Sequence, residues 1–199
     1  QAHDIISSPT TRKAFDLSLE KTSESTRFGR HEFGQSLLLA SRLIEAGVHF
    51  VTVRLRPAEF DFDTHLDNFS KLSALLPPFD KGLASLIDRL KERGLFRSTA
   101  IMVAGEFGRT PKINGQGGRD HWARAMFALM AGGDVEGGQV IGETDDRAGA
   151  PVGNGYSPDD LAASFFQNIG INSKHEFQTN VGRPINLVRD GKPITQLFS

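Results

Sequence analysis

Three short stretches hold most of the side chains able to do chemistry: Glu59-Phe60-Asp61-Phe62-Asp63-Thr64-His65, Gly105-Glu106-Phe107-Gly108-Arg109-Thr110-Pro111 and Gly118-Arg119-Asp120-His121-Trp122. Asp63 and His65 are two residues apart, so in extended chain both point to one side and can share a cation. Asp61 and His65, four apart across a turn, offer a second choice. Carboxylate oxygen with imidazole nitrogen suits zinc, manganese or iron better than calcium. His121 sits in a glycine-rich setting where backbone approaches a ligand closely, beside Arg119, Asp120 and the only tryptophan. Glu106 is a further candidate ligand. Arg109 and Arg119 can clamp a tetrahedral oxyanion, because a planar guanidinium donates two parallel hydrogen bonds to phosphate or sulfate.

Each of these residues also has a plainer reading. Asp63 would cap a helix starting at Thr64, with His65 in its first turn. Glu106 would pair with Arg109, and His121 would be a satisfied structural histidine. His3, His31, His49 and His175 have no comparable neighbours in sequence and receive no role. Gly105 to Lys112 lacks the spacing of a phosphate-binding P-loop, and the glycines from Gly132 to Gly142 do not lead a strand into a helix as a dinucleotide site requires. No Gly-x-Ser-x-Gly elbow is present.

The elements that must position these loops follow from periodicity and punctuation. Ser8-Pro9 opens a helix predicted over 9–20. Phe33, Leu37, Ala40 and Ile44 mark another over 30–46, closed by Gly47. Val48 to Val53 is β-branched and apolar on both faces, as a buried parallel strand is. The pattern repeats: Phe79, Leu83, Leu86, Ile87 and Leu90 mark a helix ending at Gly94, and Thr99 to Ala104 reads as a second strand. Ala125 to Ala131 is a third. Ser157-Pro158-Asp159-Asp160 starts a well-punctuated helix with Leu161, Phe165 and Ile169 on its apolar stripe. Residues 185–188 and 193–195 flank Arg189-Asp190-Gly191-Lys192, a turn signal that predicts a C-terminal hairpin. The expected class is α/β, a mainly parallel sheet sandwiched by helices, and ligands then bind in the loops beyond the carboxyl ends of the strands.

Composition removes several functions. The 199 residues carry 23 Lys+Arg against 24 Asp+Glu, a net charge of −1, without a basic stripe, so nucleic acid is not an expected partner. No apolar run approaches the roughly 18–20 residues of a membrane span. There are no cysteines, which excludes a disulfide scaffold and leaves the compartment open. The length suits one domain able to bury a core unaided by metal or disulfide.

Phe62-Asp63-Thr64-His65 with Asn68-Phe69, the Gly105–Pro111 and Gly118–Trp122 motifs, Gly34-Gln35-Ser36 and Gly182-Arg183-Pro184-Ile185 together resemble the bacterial "domain of unknown function 1501" family. Phe62 stands where that family commonly has Trp. The family looks like a sulfatase-like branch of the alkaline phosphatase superfamily, whose members use one or two metal ions on phosphate and sulfate esters. The resemblance implies an alkaline phosphatase-like fold of which this chain is the carboxyl-terminal portion, with the nucleophile upstream and the protein exported to the periplasm or secreted. Ser7-Ser8-Pro9-Thr10-Thr11-Arg12 only approximates a sulfatase signature, its arginine being one position late.

Residue by residue, Asp63 (or Asp61) and His65 would match the first metal's Asp and His, and His121 its later histidine. Glu106-Phe107 stands where the superfamily has Asp-His for a second metal, so Glu106 could ligate and Phe107 could not. The implied cofactor is a divalent ion such as zinc, manganese or calcium, with Arg109 and Arg119 on the oxyanion of a small-molecule or carbohydrate ester. The competing expectation is a non-catalytic ligand- or carbohydrate-binding protein with a degenerate site.

Overall fold

The computed structural model describes residues 8–54, 61–153 and 155–199. The chain divides into two compact units, Gln1–Leu95 with Ile113–Arg119, and Phe96–Lys112 with Asp120–Ser199. Among the described residues the strands lie in the second unit. β1 (Ile101–Ala104) pairs antiparallel with β4 (Ala128–Ala131), Ile101 opposite Ala131 and Ala104 opposite Ala128. β2 (Gly108–Arg109) pairs with β3 (His121–Trp122), and β5 (Glu176–Gln178) with β6 (Pro184–Asn186), both antiparallel.

Val48 to Val53, predicted as a strand, is irregular and pairs with no strand among the described residues; Val48 N donates back to the Leu43 carbonyl at 3.0 Å. A mainly parallel sheet would need strands beyond the three antiparallel pairs seen among the described residues. The C-terminal hairpin is displaced from its predicted place. Residues 184–186 pair backwards onto 176–178 across a turn in which Thr179 accepts from Gly182. The backbone N–H groups of Lys192 and Ile194 donate instead to Asp160 Oδ1 and Ser164 Oγ, at 2.8 Å each, so they are not available to a second hairpin strand.

Both of those acceptors stand on α5 (Pro158–Asn168), whose start follows its sequence signals closely. Ser157 and Asp160 form a reciprocal capping box, and Pro158 occupies the first turn. Hydrogen bonds from the Lys192 and Ser157 backbones hold the Asp160 carboxyl below the usual carboxylate range.

The first unit is helical. α1 (Pro9–Phe15) stops earlier than predicted because Asp16 accepts from Ser18 N at 3.0 Å, a local bond that competes with helix and leads into a 3₁₀ turn at Leu17–Leu19. α2 (Thr22–Phe28), not foreseen from the sequence, buries Phe28 completely and ends at Gly29 with φ +89°. α3 (Glu32–Glu45) buries Phe33, Leu37, Leu38, Ala40 and Leu43. Its N-cap is His31, whose Nδ1 accepts from Gly34 N at 3.1 Å; burial, with Lys81 nearby, pushes the imidazole below its ordinary value and favours this neutral acceptor. α4 (Asn68–Glu92) runs 25 residues through Pro77 and Pro78, and starts well before the predicted apolar stripe. Gly82 of α4 lets Leu37 of α3 approach to 3.0 Å of where a Cβ would stand. No helix among the described residues is long and apolar enough to cross a membrane.

A charged group lies in the middle of this packing. Arg89 of α4 is 1% exposed and reaches Glu45 at 2.7 Å, Glu24 at 3.0 Å and Glu20 at 3.1 Å. Burial alone would depress its pKa; the hydrogen bonds it donates to Glu45 and Glu20 outweigh that and raise it. Arg42 of α3 also pairs with Glu20 and donates to the Ala14 carbonyl at 2.8 Å, which ties α1 to the same group. Hydrogen bonding by Arg89 in turn holds the Glu20 carboxyl below its ordinary value.

Removing one partner of a buried ion group typically costs about 3–5 kcal/mol, so Arg89→Leu should lower the denaturation midpoint severely. The acid dependence should also change. In the parent, Glu20's depressed pKa means its stabilisation is present above the unfolded carboxyl value and is lost as pH falls toward the folded one. In Arg89→Leu the clustered carboxylates repel, and mild acid should stabilise instead. Urea melts at pH 4, 5 and 7 distinguish these; parallel pH profiles in both proteins would show that the cluster carries little energy.

Candidate functional site

Phe62 anchors the first motif, its ring stacked 6.0 Å from Phe33 and edge-on 6.4 Å from Phe79. Thr64 is buried and donates to Asn68 Oδ1 at 2.6 Å, so the residues on either side project outward. Those are Asp63 and His65, with side chains 47% and 42% exposed and Asp63 Oδ1 lying 3.1 Å from His65 Nε2. Asp61 Oδ1 is engaged with the Asp63 backbone N–H, at 3.3 Å. Asp63 therefore is not the cap of a helix at Thr64. The helix begins at Asn68, after Asp67 in the left-handed region at φ +50°.

The backbone of this motif is held by residues 113–119 of the same unit. Asn114 Nδ2 donates to the His65 carbonyl at 3.0 Å, while its Oδ1 accepts from Gln116 N and Gly118 N at 2.9 Å each. Arg119 N donates to the Thr64 carbonyl at 3.0 Å, and Asn68 N donates to the Gly117 carbonyl at 3.0 Å. Gly118 passes so close that a Cβ on it would stand 1.9 Å from the His65 carbonyl oxygen. Only glycine permits that approach. The Arg119 guanidinium lies 5.9 Å from the centre of the Phe69 ring, at the head of α4.

In the second unit, β2 and β3 set Arg109 directly opposite His121 and Gly108 opposite Trp122. Directly opposed residues project to the same face of a ribbon. A Cβ at Gly108 would stand 1.7 Å from the Ala125 carbonyl oxygen, so this position too demands glycine. Thr110 N donates to the Asp120 carbonyl at 2.9 Å, and Asp120 N donates back to Thr110 Oγ1 at 3.0 Å. Trp122 Nε1 donates to the Gly149 carbonyl at 2.8 Å. His121 is exposed, its ring 4.3 Å from that of Phe107, and the Arg109 guanidinium lies 5.9 Å from the Phe107 ring centre. Glu106 is exposed, two residues past the end of β1.

Asp63 and His65 thus stand together in the first unit with Arg119 on the adjoining loop, and Arg109 and His121 stand together in the second beside Phe107. Sequence reasoning missed Asn114 and the buried Thr64–Asn68 bond. Gly118 stands out in sequence only as part of a motif; the three glycines that follow Asn114, at 115, 117 and 118, are the available signal that backbone passes close to backbone there.

Motifs in this order, on an α-helical unit and a strand-bearing one, define a chain with a loop-borne Asp/His pair and a separate Arg/His ribbon. The chain belongs to the family described as proteins of unknown function (DUF1501), whose model matches residues 1–198. No curated protein and no solved structure matches it.

Asn114→Ala deletes three hydrogen bonds, at about 1 kcal/mol each, and should cost about 2–3 kcal/mol by urea melting. Gly118→Ala should cost a comparable amount while leaving every polar side chain in place. Both should move the His65 imidazole resonances. Unchanged melts and unchanged His65 signals would show that the 113–119 loop does not hold the motif.

Proposed function

We propose that this chain carries the cation-binding and oxyanion-binding groups of a divalent-metal-dependent hydrolase of phosphate or sulfate esters, sulfatase-like in using one metal and alkaline phosphatase-like in architecture, working in the periplasm or outside the cell. The observation that carries the reading is the Asp63 Oδ1 to His65 Nε2 separation of 3.1 Å on half-exposed side chains. Two donors bound tetrahedrally at about 2.0–2.1 Å stand about 3.3 Å apart, so the pair already has nearly the spacing that one cation needs. In this reading His121 is the third ligand; each of the three residues offers one ligand atom. One carboxylate and two imidazoles favour zinc or manganese over calcium.

A bound divalent ion would polarise the ester and lower the pKa of water there. The protein's own groups do the rest. Arg109 and Arg119 hold the non-bridging oxygens and absorb charge as the ester bond breaks. Glu106 ligates, or orients a ligand. The substrate is a small-molecule or carbohydrate ester. Phe107 brings no ligand atom and lies against His121, which supports one cation rather than two.

Isothermal titration with Zn²⁺ and Mn²⁺ tests the reading. One equivalent should bind, and at a free concentration about 100 times Kd the protein should gain about 2.7 kcal/mol of stability. Asp63→Asn and His121→Ala should each weaken binding at least about tenfold, since the first removes the anionic charge of a ligand and the second removes a donor atom. Joined to the upstream nucleophile that the resemblance implies, the loaded protein should turn over aryl phosphates or aryl sulfates, with Arg119→Ala lowering kcat/KM. Metal retained without turnover supports the second reading, a non-catalytic ligand-binding protein, for which Phe107 also speaks. No stoichiometric binding overturns both.

A further inference from the structure

A cavity of about 380 Å³ opens wholly within the second unit, lined by Arg97, Asp134, Glu136, Gln167, Asn168 and Phe198. That volume lies in the range of small-molecule sites, about 300–1,000 Å³. None of these residues belongs to the three chemical motifs, and ligand binding here would not depend on the proposed esterase function.

The rim is built rather than incidental. Gly132 and Gly133 have φ of +74° and +64°, and a Cβ on Gly133 would stand 2.3 Å from Asn168 Oδ1. Asn168 fixes the turn from both sides: its Oδ1 accepts from Asp134 N at 2.9 Å and its Nδ2 donates to the Gly132 carbonyl at 3.1 Å. Glu136 N donates to the Leu197 carbonyl at 2.8 Å, which pins the 3₁₀ turn Thr195–Phe198 to the same rim. Arg97, Asp134, Glu136 and Gln167 are exposed, and among the described residues the first three enter no ion pair. Their polar atoms remain available to a ligand.

The lining chemistry selects the ligand. One guanidinium faces two carboxylates, so an anion meets excess negative charge and a simple cation meets Arg97. Mixed donors and acceptors on planar groups suit hydroxyls, each of which both donates and accepts. Phe198 is the only ring of the lining. An aromatic face carries partial negative charge and receives the weakly positive C–H face of a saturated ring. We infer that this cavity binds a neutral pyranose sugar, with the sugar's C–H face on Phe198 and its hydroxyls on Arg97, Asp134, Glu136 and Gln167.

Ligand-observed saturation-transfer NMR on the whole chain tests this. The probes are methyl pyranosides of the gluco, galacto and manno series and the disaccharides maltose, cellobiose and lactose, with glycine and inorganic sulfate as charged controls. At least one sugar should receive saturation, strongest at its ring C–H protons, and the controls should not. Phe198→Ala should weaken binding about tenfold, the loss expected for one aromatic contact. Gln167→Ala, on an exposed helical position, should weaken it at an unchanged melting temperature. The proposal is overturned if no sugar binds, if glycine or sulfate binds in place of sugar, or if a bound sugar is indifferent to Gln167→Ala in folded protein.

Discussion

The His65 carbonyl is the point through which the candidate centre is made rigid. Irregular backbone must still satisfy its polar groups; in residues 64–68 the Thr64 and His65 N–H groups donate locally to the Phe62 and Asp63 carbonyls, and one other loop supplies most of the remaining partners. Asn114 donates to His65, Arg119 N to Thr64, and Gly117 accepts from Asn68. With Thr64 and Asn68 buried against each other, this stretch has little freedom to rotate. Asp63 and His65 are therefore half-exposed side chains on fixed backbone. That combination is what a ligand-binding pair needs, since ordering the donors in advance removes a cost that binding would otherwise meet.

The same contact starts α4. The first N–H groups of a helix have no partner within it, and here Gly117 and Gln116 carbonyls take those of Asn68 and Asp67. Toward its other end the same helix carries Arg89 into the carboxylates of Glu20, Glu24 and Glu45. Arg27 of α2 adds a two-bond pairing with Glu92, both contacts 2.9 Å. A buried ion group is poor value as pure stabilisation, because desolvation offsets much of the attraction. Its directionality is another matter: a guanidinium satisfied from three sides tolerates few rotations of α4 against α2 and α3. The position of α4, and with it the loop ahead of Asn68, is set by charge geometry as well as by Leu75, Leu86 and Leu90.

What was legible beforehand was local. Ser157-Pro158-Asp159-Asp160 specifies its capping box through residues three apart, and α3 shows its buried face through helical spacing. The three chemical motifs were legible because their residue types are unusual together. What could not be read depended on partners distant in the chain. Val48 to Val53 has a strand's composition, but a strand exists only when another chain segment supplies hydrogen bonds. Residues 184–186 had two candidate partners, and the one chosen reflects that Lys192 and Ile194 donate to α5. Arg89 looked like any polar helical residue. Its burial follows from Glu20 and Glu45, 69 and 44 positions away.

Phe107 bears most directly on the chemistry. It follows Glu106 at the end of β1 and precedes Gly108, where the Ala125 carbonyl leaves no room for a side chain. With Gly108 pressed against that backbone and Arg109 paired in β2, the ring of Phe107 comes to lie 4.3 Å from His121. An aromatic ring there contributes contact area and stiffness and no donor atom. It lies against His121, and Arg109 is the residue directly opposite His121 on the ribbon. A second cation beside Glu106 would need a replacement for the ligand that Phe107 cannot be. The one-cation proposal asks for a His121 that is held still beside Asp63 and His65, and the contact with the Phe107 ring is consistent with that demand.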